Sequence, residues 1–158
     1  MYAIGDYIAH PMHGAGRIDG IIQKKIDGAQ RDYYVLKLPV GEMRVMIPVL
    51  GCESIGVRPI IEPAEAEKVL EILRELDVSM TQNWNKRYRE NMVKIKSGNL
   101  VEVAEVVKGL MLRDMERGLS TGERKMLHSA KQIFISELVI SLKKTYEDIE
   151  AIISAAVV

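Results

Sequence analysis

The sequence has little cysteine and no excess of charge of either sign. Its single cysteine, Cys52, cannot form an internal disulfide, which suits a reducing compartment. The 22 basic and 22 acidic residues give a formal net charge of zero, which argues against a protein that coats nucleic acid by bulk charge. Any contact with nucleic acid is therefore expected to be local.

The chain also lacks a long apolar run. The apolar tail over residues 151–158 is far shorter than the roughly 20 residues that a membrane span needs. The first residues, Met1–Asp6, do not have the basic segment followed by an apolar segment that marks a secretion signal. We therefore expect a cytoplasmic protein with no membrane partner. An apolar content of 47% can supply the core of one ordinary domain or two small ones.

Catalytic motifs are missing as well. The sequence has neither of the common glycine-rich phosphate-binding loops and no nucleophile elbow. The nearest approach to a metal site is the pair His10 and His13, with Cys52 elsewhere in the chain. Pro11 disfavours the helix that would bring the two histidines to one face, and metal sites need three or four converging ligands. We interpret the pair as part of a turn, and expect no enzyme activity, cofactor or metal.

The first 61 residues have the pattern of a small antiparallel barrel. Glycines separate short runs that are rich in β-branched and aromatic residues, as in strands joined by turns. Asp27-Gly28 lies between two such runs and predicts a tight hairpin turn. A second turn is predicted at Val40–Glu42, before a strand over Met43–Ile47 that ends at Pro48. About five strands would close into an SH3-like or Tudor-like barrel.

The remaining residues, 62–158, have the periodicity of an all-α domain, so the predicted fold class is α+β. Pro63 suits the first turn of a helix. The predicted helices run from Pro63 to Leu76, from an N-cap at Thr81 to Lys96, from an N-cap at Asn99 to Arg117, and from an N-cap at Ser120 towards Ala155. The last of these is long enough to be interrupted.

The only tryptophan, Trp84, opens the segment in which positive charge is most concentrated. Lysines and arginines near a helix N-terminus can position a phosphate backbone, and an exposed indole can stack on an unpaired base. However, Trp84 also begins an apolar stripe with Tyr88, Met92 and Ile95, and such a stripe usually faces a core. Because Trp84 is the first member of the stripe, we expect it to overhang the bundle while the other three are core.

Several segments resemble the CarD family, also called CdnL, of bacterial transcription regulators. The N-terminal resemblance lies in residues 4–14, and is shared with other small barrels. The C-terminal resemblance is more specific and lies in residues 83–89, 103–107, 113–120 and 123–127. The resemblance covers essentially the whole chain.

This resemblance implies a regulator that is not an enzyme. A Tudor-like domain, residues 1–61, would bind the β subunit of RNA polymerase, and a helical domain, residues 62–158, would contact promoter DNA at the upstream edge of the melted bubble. The implied result is a stabilised open complex with little dependence on DNA sequence. We expect the protein to act as a monomer.

The resemblance also implies which residues form these contacts. Trp84 would be a wedge in the minor groove. The residues implied to contact phosphates are Lys86, Arg87, Arg89 and Arg124. The residues implied to contact polymerase are Lys24, Arg44 and Met46. An arginine is expected where Lys24 stands and a basic residue where Met46 stands, so the polymerase contact is expected to be weaker or differently arranged.

Two other interpretations stay open at the level of sequence. The chain could be a protein-interaction adaptor whose helices do not contact DNA, in which case Trp84 would be buried. The barrel also resembles the polymerase-binding module of the transcription-repair coupling factor, a motor protein. Because this chain has no ATPase motif, only a docking role could be shared with that motor.

Overall fold

The computed structural model describes residues 1–41 and 43–157, and within them the chain forms five β-strands followed by five α-helices. The strands are β1 (Tyr7–His10), β2 (Gly14–Ile26), β3 (Ala29–Lys37), β4 (Arg44–Pro48) and β5 (Arg58–Pro59). The helices are α1 (Pro63–Glu75), α2 (Trp84–Lys96), α3 (Leu100–Arg117), α4 (Thr121–Leu142) and α5 (Tyr146–Val157). The predicted α+β class is confirmed. That residues 1–61 and 62–158 are separate domains stays a prediction.

The strands form one antiparallel sheet in the order β4-β3-β2-β1-β5. The long hairpin of β2 and β3 turns at Asp27 and Gly28, which have positive φ angles of 51° and 80°. This confirms the predicted turn, because a two-residue hairpin loop favours positive φ at both positions. An irregularity in the register between Ile18 and Gly20 lets β2 bend, so the sheet can curl around its own core.

The second predicted turn, at Val40–Glu42, includes Glu42 and so lies outside the described residues. The strand that follows it is β4, which begins at Arg44 and ends at Pro48. β4 is the terminal strand of the sheet, where a proline interrupts the fewest hydrogen bonds. The residues buried inside the curled sheet are Ile8, Ile18, Tyr34, Leu36, Leu38, Ile47, Cys52 and Val57.

Helix α2 begins two residues later than the predicted N-cap at Thr81 allows, so that prediction is wrong. The N-cap is Asn83, whose side chain accepts a hydrogen bond from the backbone N–H of Lys86 at 2.9 Å. The carbonyls of Thr81 and Gln82 instead accept hydrogen bonds from Nη1 of Arg87. A side chain farther along the helix therefore holds the segment before it in a non-helical path.

The caps of the next two helices are confirmed. The side chain of Asn99 accepts from the backbone N–H groups of Val101 and Glu102, and Ser120 Oγ accepts from that of Glu123. The long helical stretch after Ser120 is interrupted at Lys143, which has the left-handed φ of 54°. Helices α4 and α5 together thus account for the run predicted towards Ala155.

A buried lysine fastens α3 to α1. Lys108 on α3 donates from Nζ to the carbonyls of Leu73 and Arg74, at 2.7 and 3.1 Å. These carbonyls lie in the last turn of α1, where the helix dipole favours a cation. In the described part of the chain, no helix has the length and apolar content needed to span a membrane.

The sheet and the helices approach most closely at Gly14, the first residue of β2. A Cβ atom built on Gly14 would lie 2.5 Å from Oγ of Ser136 and 3.2 Å from Cα of Ile133, both on α4. Gly14 also has a positive φ of 92°. The contact between β2 and α4 therefore requires glycine for two independent reasons.

We predict that Gly14→Ala destabilises the protein by about 2 kcal/mol or more, because it combines backbone strain with a steric clash. Gly20→Ala is the matched control, since nothing lies within 4 Å of a Cβ built there. Thermal and urea unfolding measure both variants. Equal stabilities of the two variants would contradict the close contact.

Candidate functional site

Trp84 is the first residue of α2 and lies partly outside the helical bundle, with 42% of its surface exposed. Its ring stacks on Tyr88, with centroids 5.1 Å apart and an interplanar angle of 17°. Its Nε1–H donates to Oγ of Ser120 at 3.1 Å. The indole is therefore partly exposed, but its orientation is held by two neighbours.

The rest of the apolar stripe on α2 points into the bundle. Ile95 is buried in the helical core, and Tyr88 and Met92 are half-buried against it. Core packing thus describes the later residues of the stripe, and exposure describes its first residue. The stripe is a packing surface, and Trp84 overhangs its first turn as expected.

Arg87 does not lie on the surface, although its sequence neighbours do. Its surface is only 2% exposed, and its guanidinium binds the carboxylate of Glu123, which is also 2% exposed. Nε lies 2.7 Å from Oε2 and Nη2 lies 3.1 Å from Oε1, which is a bidentate arrangement. Its Nη1 donates to the carbonyls of Thr81 and Gln82. In this conformation the guanidinium of Arg87 is buried against protein groups, so the structure does not support the implied contact of Arg87 with a phosphate.

The physical reason is helical periodicity. Arg87 is three residues beyond Trp84 and therefore lies on the same side of α2 as the packing stripe. Hydrogen bonds from Arg87 hold the pKa of Glu123 below its ordinary value, and burial opposes this effect without overcoming it. The same hydrogen bonds raise the pKa of Arg87. Both groups are therefore charged at neutral pH.

Ser120 connects this buried ion pair to the exposed indole. Its Oγ accepts from Nε1 of Trp84 and from the backbone N–H of Glu123, and it is the N-cap of α4. Glu123 in turn fixes Arg87, and with it the first turn of α2. The N-terminus of α4 therefore sets the orientation of the indole. Sequence analysis assigned Ser120 only a capping role, and no local signal pairs it with Trp84.

Three of the implied phosphate contacts are exposed near this end of the bundle. Lys86 and Arg89 lie on α2, and the Nζ of Lys86 is 3.9 Å from Glu90, which is a weak surface pair. Arg124 lies in the first turn of α4, beside the cap that holds Trp84, and its Nη2 is 3.4 Å from Asp114. These long surface pairs leave the cations available to an external anion.

The three implied polymerase contacts lie on one face of the sheet. In the register, Lys24 is opposite Arg31, Met46 is opposite Val35, and Arg44 is opposite Lys37. Residues directly opposite one another, and every second residue along a strand, share a face. Lys24, Arg44 and Met46 therefore belong to the outer face of the sheet, opposite to the buried Tyr34 and Leu36. We call this the outer face.

The outer face also contains residues that sequence analysis did not single out. Ile22 is opposite Tyr33, and Tyr33 is opposite Pro48, so an apolar centre forms around the 42% exposed Met46. Arg31 adds a second cation beside Lys24. Because the Asp27-Gly28 turn fixes the register of β2 and β3, the sequence itself predicts that Ile22 is opposite Tyr33 and Lys24 is opposite Arg31.

His10 and His13 lie at either end of the turn between β1 and β2, with ring centroids 4.5 Å apart. His10 Nδ1 accepts a hydrogen bond from the backbone N–H of Met12. Burial, and secondly the neighbouring His13, lowers the pKa of His10. Among residues 1–41 and 43–157, no group of three or more His, Cys, Asp and Glu side chains is placed to hold a metal ion.

Two family models match the chain. The model described as "CarD, C-terminal domain" matches residues 68–154, and the model described as "CarD-like/TRCF RID domain" matches residues 2–61. The chain belongs to the CarD family. Membership implies a role in the regulation of transcription, and the N-terminal fold is Tudor-like.

A relative supports the same assignment. This CarD-family chain is 37% identical over 140 residues to "Putative transcription factor YdeB" of Bacillus subtilis (strain 168). The match covers 89% of this chain and 92% of the relative. The similarity therefore spans both the sheet and the helices of this CarD-family protein.

We predict that Glu123→Gln lowers the free energy of unfolding at neutral pH by about 3 kcal/mol, because it leaves Arg87 buried without its counter-charge. The lowered pKa of Glu123 means that the charge stabilises the fold above the unfolded-state pKa of about 4.3. This stabilisation is lost as pH falls through the folded-state pKa. The stability difference between wild type and Glu123→Gln should therefore narrow in acid.

Urea unfolding from about pH 7 down to about pH 3 measures this difference. Glu90→Gln is the control, since Glu90 forms only the exposed, long pair with Lys86. A difference between wild type and Glu123→Gln that stays constant over this pH range would contradict the role of the charge.

Proposed function

We propose that this CarD-family protein docks on the β subunit of bacterial RNA polymerase through its outer face and stabilises the promoter open complex with Trp84. The observation that carries the proposal is a partly exposed indole that is held at one end of the bundle with cations around it. The protein acts as a monomer, in the cytoplasm, and without catalysis.

The arrangement of Trp84 suits a wedge. Stacking on Tyr88 and the hydrogen bond to Ser120 reduce the freedom that the indole would lose on binding. A side chain inserted at a base step, or stacked on an unpaired base, contributes roughly 1–3 kcal/mol. At the upstream edge of a bubble, such a site exists only once the DNA has opened.

The surrounding cations would bind phosphates on either side of the wedge. The proposed set is Lys86, Arg89 and Arg124, without Arg87. Lys86 and Arg124 both lie in first turns of helices, where the helix dipole also favours an anion. Backbone contacts of this kind position a protein without reading sequence, which agrees with a regulator of low sequence specificity.

The outer face suits a protein partner. Its apolar centre around Met46 is flanked by Lys24 and Arg31 at one end, and by Lys37 and Arg44 at the other. Apolar centres with charged rims are typical of protein interfaces. The methionine that replaces an expected basic residue thus extends the apolar centre. The terminal position of β4 also offers unpaired backbone groups to a strand of the partner.

Docking explains how a protein of zero net charge can act on DNA. Once polymerase holds the sheet, the helical bundle is confined next to the promoter, so a small DNA-contacting surface suffices. Binding that favours the open over the closed complex by about 1.4 kcal/mol shifts their ratio about tenfold. The adaptor alternative predicts a buried Trp84. The exposed indole does not favour that alternative.

We predict that Trp84→Ala shortens the lifetime of the open complex on the order of tenfold relative to wild type, because it removes the stacked ring. Polymerase affinity should not change. Val93→Ala is the matched control, since Val93 is 69% exposed on the opposite side of the same helix. Competitor-challenge lifetimes with purified polymerase measure the effect. A folded Trp84→Ala protein with the wild-type lifetime would refute the wedge.

We predict that Arg44→Glu weakens binding to polymerase about tenfold, with a larger effect at low salt, because it reverses a charge at the rim of the outer face. Lys68→Glu, an exposed charge reversal on α1, is the control and should leave the affinity unchanged. Titration of labelled protein with core polymerase measures both. Equal affinities of the two variants would place the docking surface elsewhere.

A further inference from the structure

The sheet and the helices are joined by polar contacts from one stretch of α4. Glu137, in the C-terminal third of that helix, is 2% exposed, and its carboxylate accepts from Nη1 of Arg58 at 2.6 Å and from Nη2 at 2.8 Å. Its Oε2 also accepts from the backbone N–H of Ile61 at 2.9 Å. One side chain therefore binds both β5 and the segment that leads to α1.

Arg58 extends this contact to a third part of the chain. Its Nε and Nη2 donate to the carbonyl of Gly98, in the turn between α2 and α3, at 3.3 and 3.1 Å. The hydrogen bonds to Glu137 raise the pKa of Arg58. The guanidinium is planar and rigid, so it fixes the directions of its partners as well as their distances.

Two serines of α4, on either side of Glu137, bind the sheet and the segment that leads to α1. Ser136 Oγ accepts from the backbone N–H of Ala15 at 2.9 Å, and Ser141 Oγ donates to the carbonyl of Ile61 at 2.8 Å. The cavity directly beside Arg58 and Glu137 is only about 10 Å³, which is at the lower limit for one water molecule. The hydrogen bonds from α4 therefore fix the direction in which the helix approaches the sheet.

Helix α4 also holds the indole. Its N-cap, Ser120, accepts from Trp84, and Glu137 follows nearly five turns later, which is about 25 Å along the axis. One uninterrupted helix thus separates the contact that orients Trp84 from the contact that orients the sheet. Its length determines where the indole stands relative to the outer face.

We propose that Glu137 is a positioning residue that fixes Trp84 relative to the polymerase-binding face. This inference rests on the proposed function. Without the Glu137–Arg58 pair, both halves of the chain can dock and stack as before, but the bundle samples a range of orientations. The effective concentration of the indole at the upstream edge of the bubble then falls. The residue acts through geometry and touches neither polymerase nor DNA.

The direct test is a distance measurement in the free protein. Spin labels on Lys25→Cys, in the β2–β3 hairpin, and Glu116→Cys, near the end of α3, report the relation of the sheet to the bundle, in a background of Cys52→Ser. Wild type should give one narrow distance distribution, and Glu137→Gln a broadened one. Lys108→Met is the control for lost stability, because Lys108 fastens α3 to α1 and does not contact the sheet.

The functional test compares the same variants in open-complex assays at saturating protein. The increase in open-complex lifetime should be about threefold or more smaller with Glu137→Gln than with wild type. Its polymerase affinity should stay within about twofold of wild type. Lys108→Met, below its unfolding temperature, should retain the gain. A general loss of stability would lower the unfolding temperature of both variants without separating lifetime from affinity in this way.

The outcomes are distinct. A narrow distribution for Glu137→Gln, or an unchanged lifetime with a broadened distribution, would overturn the positioning role. A wild-type protein that does not prolong the open complex would instead overturn the proposed function. The distance distributions would then test only whether the Glu137–Arg58 pair makes the junction rigid. If Glu137→Gln does not fold, Arg58→Lys retains the charge but loses the bidentate geometry, and should show the same broadening.

Discussion

A buried carboxylate needs a cation as its partner, and α4 has two buried carboxylates. Glu123 forms an ion pair with Arg87 of α2, and Glu137 forms an ion pair with Arg58 of β5. Removing one member of such a pair leaves an uncompensated charge in a medium that solvates it poorly, so each pair strongly constrains the elements that it joins. The two pairs connect the start of α2 and the sheet to a single rigid helix. The placement of the proposed DNA and polymerase surfaces depends on this arrangement.

The fixed orientation also explains why the proposed DNA-contacting surface can be small and weakly charged. A neutral protein with three exposed cations around one indole would bind DNA weakly when free. Its action is expected only when polymerase has placed it, and a placed wedge needs a fixed orientation. We propose that buried ion pairs supply the orientation, the outer face supplies the docking, and Trp84 discriminates open from closed DNA.

Local signals in the sequence predict much of this fold, and the errors have physical causes. The Asp27-Gly28 turn and the caps at Asn99 and Ser120 depend on neighbouring residues alone, and the structure confirms them. The resemblance implies a phosphate contact for Arg87, and a cluster of positive charge in the sequence does not show which of its members face inwards. The partner of Arg87, Glu123, lies 36 residues away. Glu137 has a weak signal, since it is a lone charge in the apolar run 133–140, but no pattern connects it to Arg58.

We propose that polymerase places Trp84 against DNA at the upstream edge of the bubble. A 2-aminopurine base at that edge would report the contact directly, because a stacked indole changes its fluorescence. We expect a fluorescence change with wild-type protein only when polymerase is present. The change should be smaller with Trp84→Phe, which keeps a smaller ring, and absent with Trp84→Ala or with protein and DNA alone. An identical change with wild type and Trp84→Ala, or none with wild type in a stable open complex, would contradict the proposal.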